Sequence, residues 1–259
     1  MAVHNDIAYL FTGSTTVSTF DLNHETWGSM PTSIKAGQRW PWRANKLSKY
    51  AMEIHNGRIY IFGGDDNSGE IGRNILMCMD LKNHEWRIIS GTTTFTGGSD
   101  CPNPRKWAAI WMVEELMYVT LGSADRSDAR TMGKEHGGSK AHAYQDLWSF
   151  DTSTEVWRQE KMNGNTPLRR SEFGYCFNKQ WNSGVVFGGY TESLPLSEGD
   201  TLLEYSYFAD TFIWSAETSR WSQVITRGFP TYRASVGLFL MMEKPICLVD
   251  VRRLSVSNA

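Results

Sequence analysis

The chain has 259 residues, a formal charge of −2, 41% hydrophobic and 13% aromatic residues. That is enough apolar mass for a substantial core. The near-zero charge offers bulk electrostatics little hold on nucleic acid, and no run approaches the ~18 apolar residues of a membrane-spanning helix.

The amino terminus, Met1 to Asp6, has no basic segment and no apolar stretch of signal length. The sequence expects Ala8–Thr12, Val17–Leu22 and Trp27–Met30 to be the second, third and fourth strands of a sheet unit that the chain enters midway, without a first strand. The next unit comprises Leu47–His55, Ile59–Phe62, Ile75–Asp80 and Trp86–Ser90. Its Asn56-Gly57 pair is a strong hairpin signal, since both residues tolerate positive φ. Trp107–Val113, Met117–Leu121, Asp146–Asp151 and Trp157–Glu160 form a third unit. Glu172–Phe177, Gly184–Phe187, Thr211–Ser215 and Trp221–Ile225 form a fourth. Ala234–Met242 and Pro245–Val251 begin a fifth.

Three marks recur in the same order, four times each. Asp21, Asp80, Asp151 and Ser215 precede Trp27, Trp86, Trp157 and Trp221 by the same interval. A short polar side chain at the first position of such a turn bonds the backbone ahead of it, and Trp then anchors the next strand. Strands stop at Gly13, Gly64, Gly122 and Gly189, with a full Gly-Gly at 63–64 and 188–189. Pro41, Pro104, Pro167 and Pro230, spaced 63 residues apart, lead to Arg43, Arg105, Arg170 and Arg233. A fixed order repeated this often is the signature of a repeat architecture.

Strand, Gly-Gly, loop and aspartate-turn-tryptophan together resemble the kelch motif, from Ala8 to about Asp250. The resemblance implies an all-β, kelch-type β-propeller of four-stranded antiparallel blades. The expected division of this single domain is a partial blade at 1–40, whole blades at 41–103, 104–166 and 167–229, and a partial blade at 230–259. Three whole and two partial blades make an incomplete propeller, a fragment of a six- or seven-bladed parent, with exposed strand edges.

In an up-and-down blade, the loop after the second strand and the linker between blades leave from one face. The long insertions Asp65–Asn74, Ser123–Gln145 and Tyr190–Asp210 all fall there. By match to the motif, Arg43, Arg105, Arg170 and Arg233 sit on that face near the axis and are the candidate ligand-binding residues. The resemblance implies a non-catalytic module for a protein or acidic peptide, acting as substrate receptor or scaffold, with no nucleic acid and no membrane as partner. An arginine fork can take carboxylates; the competing role is bracing the blade linker through backbone carbonyls. The carboxylates expected to offset the arginines are Asp65, Asp66, Asp125 and Glu192. Arginines that are all paired are structural, and two or more unpaired ones mark an anionic partner.

The 123–145 insertion also holds Asp128, Glu135, His136 and His142. The two histidines are six apart with no cysteine near, which fits no standard zinc module. His24, His55 and His84 read as turn residues. No nucleophile elbow, phosphate loop or His-Glu-x-x-His occurs, and no cofactor is expected. The alternative function is a kelch-fold metal-dependent enzyme, an oxidase or a lyase-like protein with its site near the axis. Cys78, Cys101, Cys176 and Cys247 form no Cys-x-x-Cys pair. Cys78, Cys176 and Cys247 sit in strand-like runs as small apolar residues, and without a disulfide framework a reducing compartment is expected, the cytoplasm or the nucleus.

Overall fold

The computed structural model describes residues 1–42, 46–66, 74–91, 100–125, 141–191, 206–225, 231–241 and 244–249. Among them every regular element is a strand. β1 (Ala2–His4), β2 (Ile7–Leu10), β3 (Thr16–Asp21) and β4 (Thr26–Pro31) form a four-stranded antiparallel sheet in that order. The expected mid-blade start is therefore corrected. Asn5 and Asp6 both take positive φ, 49° and 59°, and this two-residue turn folds Ala2–His4 back onto Ile7–Tyr9.

β5 (Ser33–Ile34) leaves the first blade and runs parallel to the outer strand of the second. That blade is β6 (Ala51–His55), β7 (Arg58–Phe62), β8 (Leu76–Asp80) and β9 (Glu85–Ser90). The third contains β10 (Ala109–Val113) and β11 (Leu116–Thr120). An insertion with the two-stranded ladder β12 (Ser123–Asp125) and β13 (Ala141–Ala143) follows, then β14 (Leu147–Asp151) and β15 (Val156–Glu160). β16 (Asn163–Gly164) crosses to the outer edge of the fourth blade. That blade is β17 (Gly174–Asn178) and β18 (Ser183–Phe187), an insertion with the ladder β19 (Tyr190–Thr191) and β20 (Ser206–Tyr207), then β21 (Thr211–Ser215) and β22 (Arg220–Val224). The hairpin β23 (Val236–Met241) and β24 (Lys244–Val249) begins a fifth. Among the described residues the propeller thus has four whole blades and the first hairpin of a fifth.

The first strands line the axis: β1 packs on β6, β6 on β10, β10 on β17 and β17 on β23. Each turn is built as its sequence dictates. The Oδ1 of Asp21 accepts the backbone N–H groups of Asn23 and His24, that of Asp80 accepts Lys82, and that of Asp151 accepts Ser153 and Thr154. The residue two before each tryptophan (Glu25, His84, Glu155, Ser219) takes the left-handed conformation that closes the turn.

The core is divided between blades. Three buried clusters lie at the first–second, second–third and third–fourth junctions. At each junction the outer-strand tryptophan reaches back to the preceding blade. Trp86 lies 4.9 Å from the Phe11 ring and donates its indole N–H to Thr32 Oγ1. Trp157 lies 5.7 Å from Phe62 and donates to Ser90 Oγ. Trp221 lies 6.2 Å from Trp111. These three are buried, whereas Trp27 is 68% exposed. The first blade is complete, and the ring partner of Trp27 among the described residues is Phe20 of its own sheet, at 5.0 Å.

In the second, third and fourth stops the second glycine is required by close approach. A Cβ on Gly64, Gly122 or Gly189 would lie 2.9, 2.7 or 2.7 Å from the carbonyl oxygen of Ser48, Lys106 or Ser171. The first glycine is replaceable: Leu121 stands there with φ 57°.

Candidate partner-binding face

The second-strand stops and the linkers to the next blade meet on one face. Gly64, Gly122 and Gly189 donate their amides to the carbonyls of Arg105, Arg170 and Arg233 in the following blade. The three arginines therefore occupy equivalent backbone positions. Their side chains do not share one role.

Arg105 is fully buried. Its guanidinium grips Asp146 with Nη1 to Oδ1 at 2.6 Å and Nη2 to Oδ2 at 2.8 Å. It also donates to the carbonyls of Leu121 and Asn103, and its plane lies 4.0 Å from the Tyr144 ring. Burial works against the guanidinium charge, and the Asp146 carboxylate more than offsets it, so the pKa is raised. Arg170 repeats the arrangement. It is fully buried, bidentate on Asp210 at 2.5 and 3.1 Å, bonded to the carbonyls of Gly188 and Leu168, and 3.9 Å from the Phe208 ring.

Each of these arginines joins the end of the second strand to the start of the third, the two feet of an insertion. A bidentate fork fixes distance and angle together. Arg105 and Arg170 are clamps with no surface to offer a partner. Among the described residues the carboxylates that pair them are Asp146 and Asp210, not the expected Asp65 or Asp66. Asp65 instead takes Lys49 at 3.1 Å and Lys106 at 3.7 Å, and those two ammonium groups flank the Trp107 ring. Asp66 is buried, the side chain of Asp125 is not described, and Glu192 lies outside the described residues.

Arg43 also lies outside the described residues. Register places a different residue at the clamp position of the second blade. The bridges Ser48–Asp65, Lys106–Ser123 and Ser171–Tyr190 are equivalent, so Leu47 stands where Arg105 and Arg170 stand. The pairs Phe62–Leu76, Thr120–Leu147 and Phe187–Thr211 are equivalent, so Ile75 stands where Asp146 and Asp210 stand. Leu47 and Ile75 are both buried in the first–second junction. Arg233 is half-buried, and its Nε donates to Thr231 Oγ1. It pairs with no carboxylate among the described residues.

The proline rhythm pointed to Arg105, Arg170 and Arg233 but not to their partners. Those had a signal: an aromatic two residues before the aspartate that opens the third strand, Tyr144-Gln145-Asp146 and Phe208-Ala209-Asp210. The ladders β12–β13 and β19–β20 stand directly on the clamped feet. Beyond them, the 126–140 segment carries Arg126, Arg130, Lys134 and Lys140 against Asp128 and Glu135, while 192–205 carries Glu192, Glu198, Asp200 and Glu204 and no cation.

Elsewhere the chemistry is quiet. Burial pushes the Cys78 and Cys176 thiols up to about 11, which disfavours the reactive thiolate at neutral pH. Among the described residues no group of three or more His, Cys, Asp or Glu side chains is placed to hold a metal. His142 packs edge-on against Tyr144 at 5.0 Å, and Asp128, Glu135 and His136 lie outside the described residues.

Four-stranded blades around one axis, glycine stops and aspartate-turn-tryptophan corners define a propeller of kelch-type repeats. The family model of the KLHDC2/KLHL20/DRC7 Kelch-repeats domain matches residues 1–249, and the chain belongs to that family. It is similar to Kelch domain-containing protein 1 of Mus musculus, 27% identical over 175 residues, covering 64% of this chain and 40% of the relative. It is also similar to Kelch domain-containing protein 3 of Bos taurus, 25% identical over 214 residues, covering 81% and 47%. Kelch repeat and BTB domain-containing protein 1 of Horsepox virus is 25% identical over 148 residues, covering 54% and 24%. The chain thus spans less than half the length of each of these relatives.

Proposed function

We propose that this propeller is a non-catalytic protein-interaction module that seats a protein partner on the face carrying the insertions. The observation that supports this most is the pair of buried arginine–aspartate clamps. They hold the feet of the 121–146 and 188–210 segments in fixed geometry, and rigid feet limit the conformational freedom lost when a loop is ordered by a partner. Loops carried on a rigid scaffold are where binding residues concentrate. Arg105 and Arg170 support the face from below, so cations for an acidic peptide come from the 126–140 segment. The role is that of a scaffold or substrate receptor in a reducing compartment, the cytoplasm or the nucleus.

The test is site-specific photo-crosslinking in the full chain. A photoreactive residue at His142, on the loop face, is compared with one at Ser153, in a turn at the other end of the blade. Crosslinking of the same defined protein from His142 and not from Ser153, abolished when 126–140 is replaced by a Gly/Ser segment of equal length, supports the reading. Equal crosslinking from both positions places the partner elsewhere.

A further inference from the structure

At the first–second and second–third junctions the outer-strand indole is tied to a hydroxyl of the preceding blade, Trp86 to Thr32 at 3.0 Å and Trp157 to Ser90 at 2.8 Å. The third–fourth junction is built differently, and register gives the reason. β5 pairs Ser33 with Glu85 and Ile34 with Trp86, while β16 pairs Asn163 with Arg220 and Gly164 with Trp221. Met162 therefore stands where Thr32 stands, packed against the junction core, and a thioether is a poor acceptor. The buried Trp221 indole N–H has no acceptor among the described residues, and the same holds for Trp111 and Trp214 in the same cluster. Trp214 occupies the place of Met79 and Phe150 in the two preceding blades, side chains without a donor. Trp111 fits because Gly184 faces it, where a Cβ would lie 2.9 Å from the indole. A buried donor without an acceptor weakens the closed arrangement, because it regains hydrogen bonds when water enters. The side-chain bonds of Asn163 to the Ser219 carbonyl and of Asn165 to Gln223 are long, 3.5 and 3.4 Å. The second–third junction has Arg87 on Glu155 and Asn56 on Glu115 at 3.0 Å. Near the axis the two junctions match: Gly122 donates to the Arg170 carbonyl at 3.0 Å as Gly64 does to that of Arg105.

We propose that the third–fourth junction is a compliant joint: its outer seam, where the three indoles meet, opens about the Gly122–Arg170 backbone bond while each blade stays rigid. The ladder β12–β13 rises from the third blade and β19–β20 from the fourth, each fixed on its own blade by its arginine clamp. Opening of the seam therefore changes the separation of two rigid ladders, which lets them adapt to what lies between them. That use of the joint rests on the loop-face reading; the compliance itself is a property of the free protein.

Lys82, Ser153 and Glu217 are exposed residues at the same position of the outer turn in the second, third and fourth blades. Nitroxide labels there report the two junctions by double electron–electron resonance on the full chain. In the free protein the 153–217 distance distribution should be broader than the 82–153 one. Met162→Thr supplies the missing acceptor. It should narrow the 153–217 distribution alone and slow hydrogen exchange at the Trp221 indole about fivefold, the worth of one net hydrogen bond. Thr32→Met makes the reverse change in a tied junction and should broaden the distribution between labels at Asn23 and Lys82. Equal widths for the 82–153 and 153–217 pairs overturn the proposal. So does a broad 153–217 distribution that Met162→Thr leaves unchanged in folded protein. If that variant does not fold, an Asn23–Lys82 distribution unchanged by Thr32→Met overturns it in the same way. Each of these outcomes leaves crosslinking from His142, the test of the loop face, untouched.

Discussion

In the third blade the feet of the insertion are joined by a buried guanidinium on a carboxylate; in the second, the same two positions hold Leu47 and Ile75. The second-blade segment is short, from Gly63 to Ile75, and the third-blade segment is long, from Leu121 to Asp146. Arg105, Leu47 and Ile75 are buried and Asp146 largely so, and the energetics of the two arrangements differ. An apolar pair gains from leaving water and tolerates small displacements. A buried ion pair gains little net stability, because desolvation offsets attraction, but it fails sharply when one member is missing. The ionic clamp fixes an angle as well as a distance, and it stands where a long insertion leaves the sheet. Chain entropy alone does not explain the difference, since doubling a loop costs only about 0.6 kcal/mol. What the ion pair adds is geometry.

The largest expected effect breaks the clamp on one side. Asp146→Ala leaves Arg105 buried without its carboxylate and should destabilise the protein by about 3–5 kcal/mol in urea titration. The double change Arg105→Leu with Asp146→Ile copies the second blade, and it should restore most of that loss or exceed the parent. If the foot geometry matters, limited proteolysis within 126–140 should be faster in the double variant despite its recovered stability. A double variant as unstable as the single one would mean that the fork itself is a major source of stability.

The second comparison is between tryptophans in the same repeat position. Trp86→Ala removes a buried indole from the first–second junction and should cost about 3–5 kcal/mol. Trp27→Ala, at a site 68% exposed, should change stability by less than about 0.5 kcal/mol. Equal effects would show that the first blade's outer face is covered in solution.

A third case, Glu53 on β6, sharpens the view of buried charge. Burial raises its pKa, opposed by the Ile54 amide and the Lys179 charge. With a folded pKa above the unfolded one, the folded state binds more protons, so this group's contribution to stability falls as pH rises through the folded pKa. Glu53→Gln should therefore raise the urea midpoint at neutral pH, and the gain should shrink toward acid pH.

The smallest effect belongs to the rim pair Arg87–Glu155, which bridges the second and third blades at partly exposed positions. Its bond to Arg87 holds the Glu155 pKa below the usual range. The stabilisation is therefore present above the unfolded pKa and is lost as pH falls through the folded one. Solvent screening limits it to under about 1 kcal/mol, so Glu155→Gln should shift the midpoint slightly at neutral pH and hardly at all in acid or high salt.

The order of strands, the turn positions and the buried tryptophans were legible because each depends on nearby residues. Asp151 needs only Ser153 and Thr154 to make its turn, and the Gly188-Gly189 stop takes φ values of 67° and 93° that few other residues adopt easily. Even the first strand was readable in principle, from Asn5-Asp6 as a two-residue hairpin turn. The candidate site was less legible. The rhythm of prolines identified the arginine positions in three linkers but slipped in the first, where register sets Leu47 rather than Arg43 opposite Ile75.

Sequence by itself determined the repeat, the all-β class and the family, since these follow from local turn chemistry and alternation within a strand. Only the tertiary structure decided which way each arginine acts. A guanidinium with a carboxylate 41 residues away in sequence and 2.6 Å away in space becomes a buried brace. An arginine at the same position whose third strand is not among the described residues stays half-exposed. The side chain is identical in both; among the described residues the difference lies in the carboxylate and aromatic ring that the folded blade brings against Arg105.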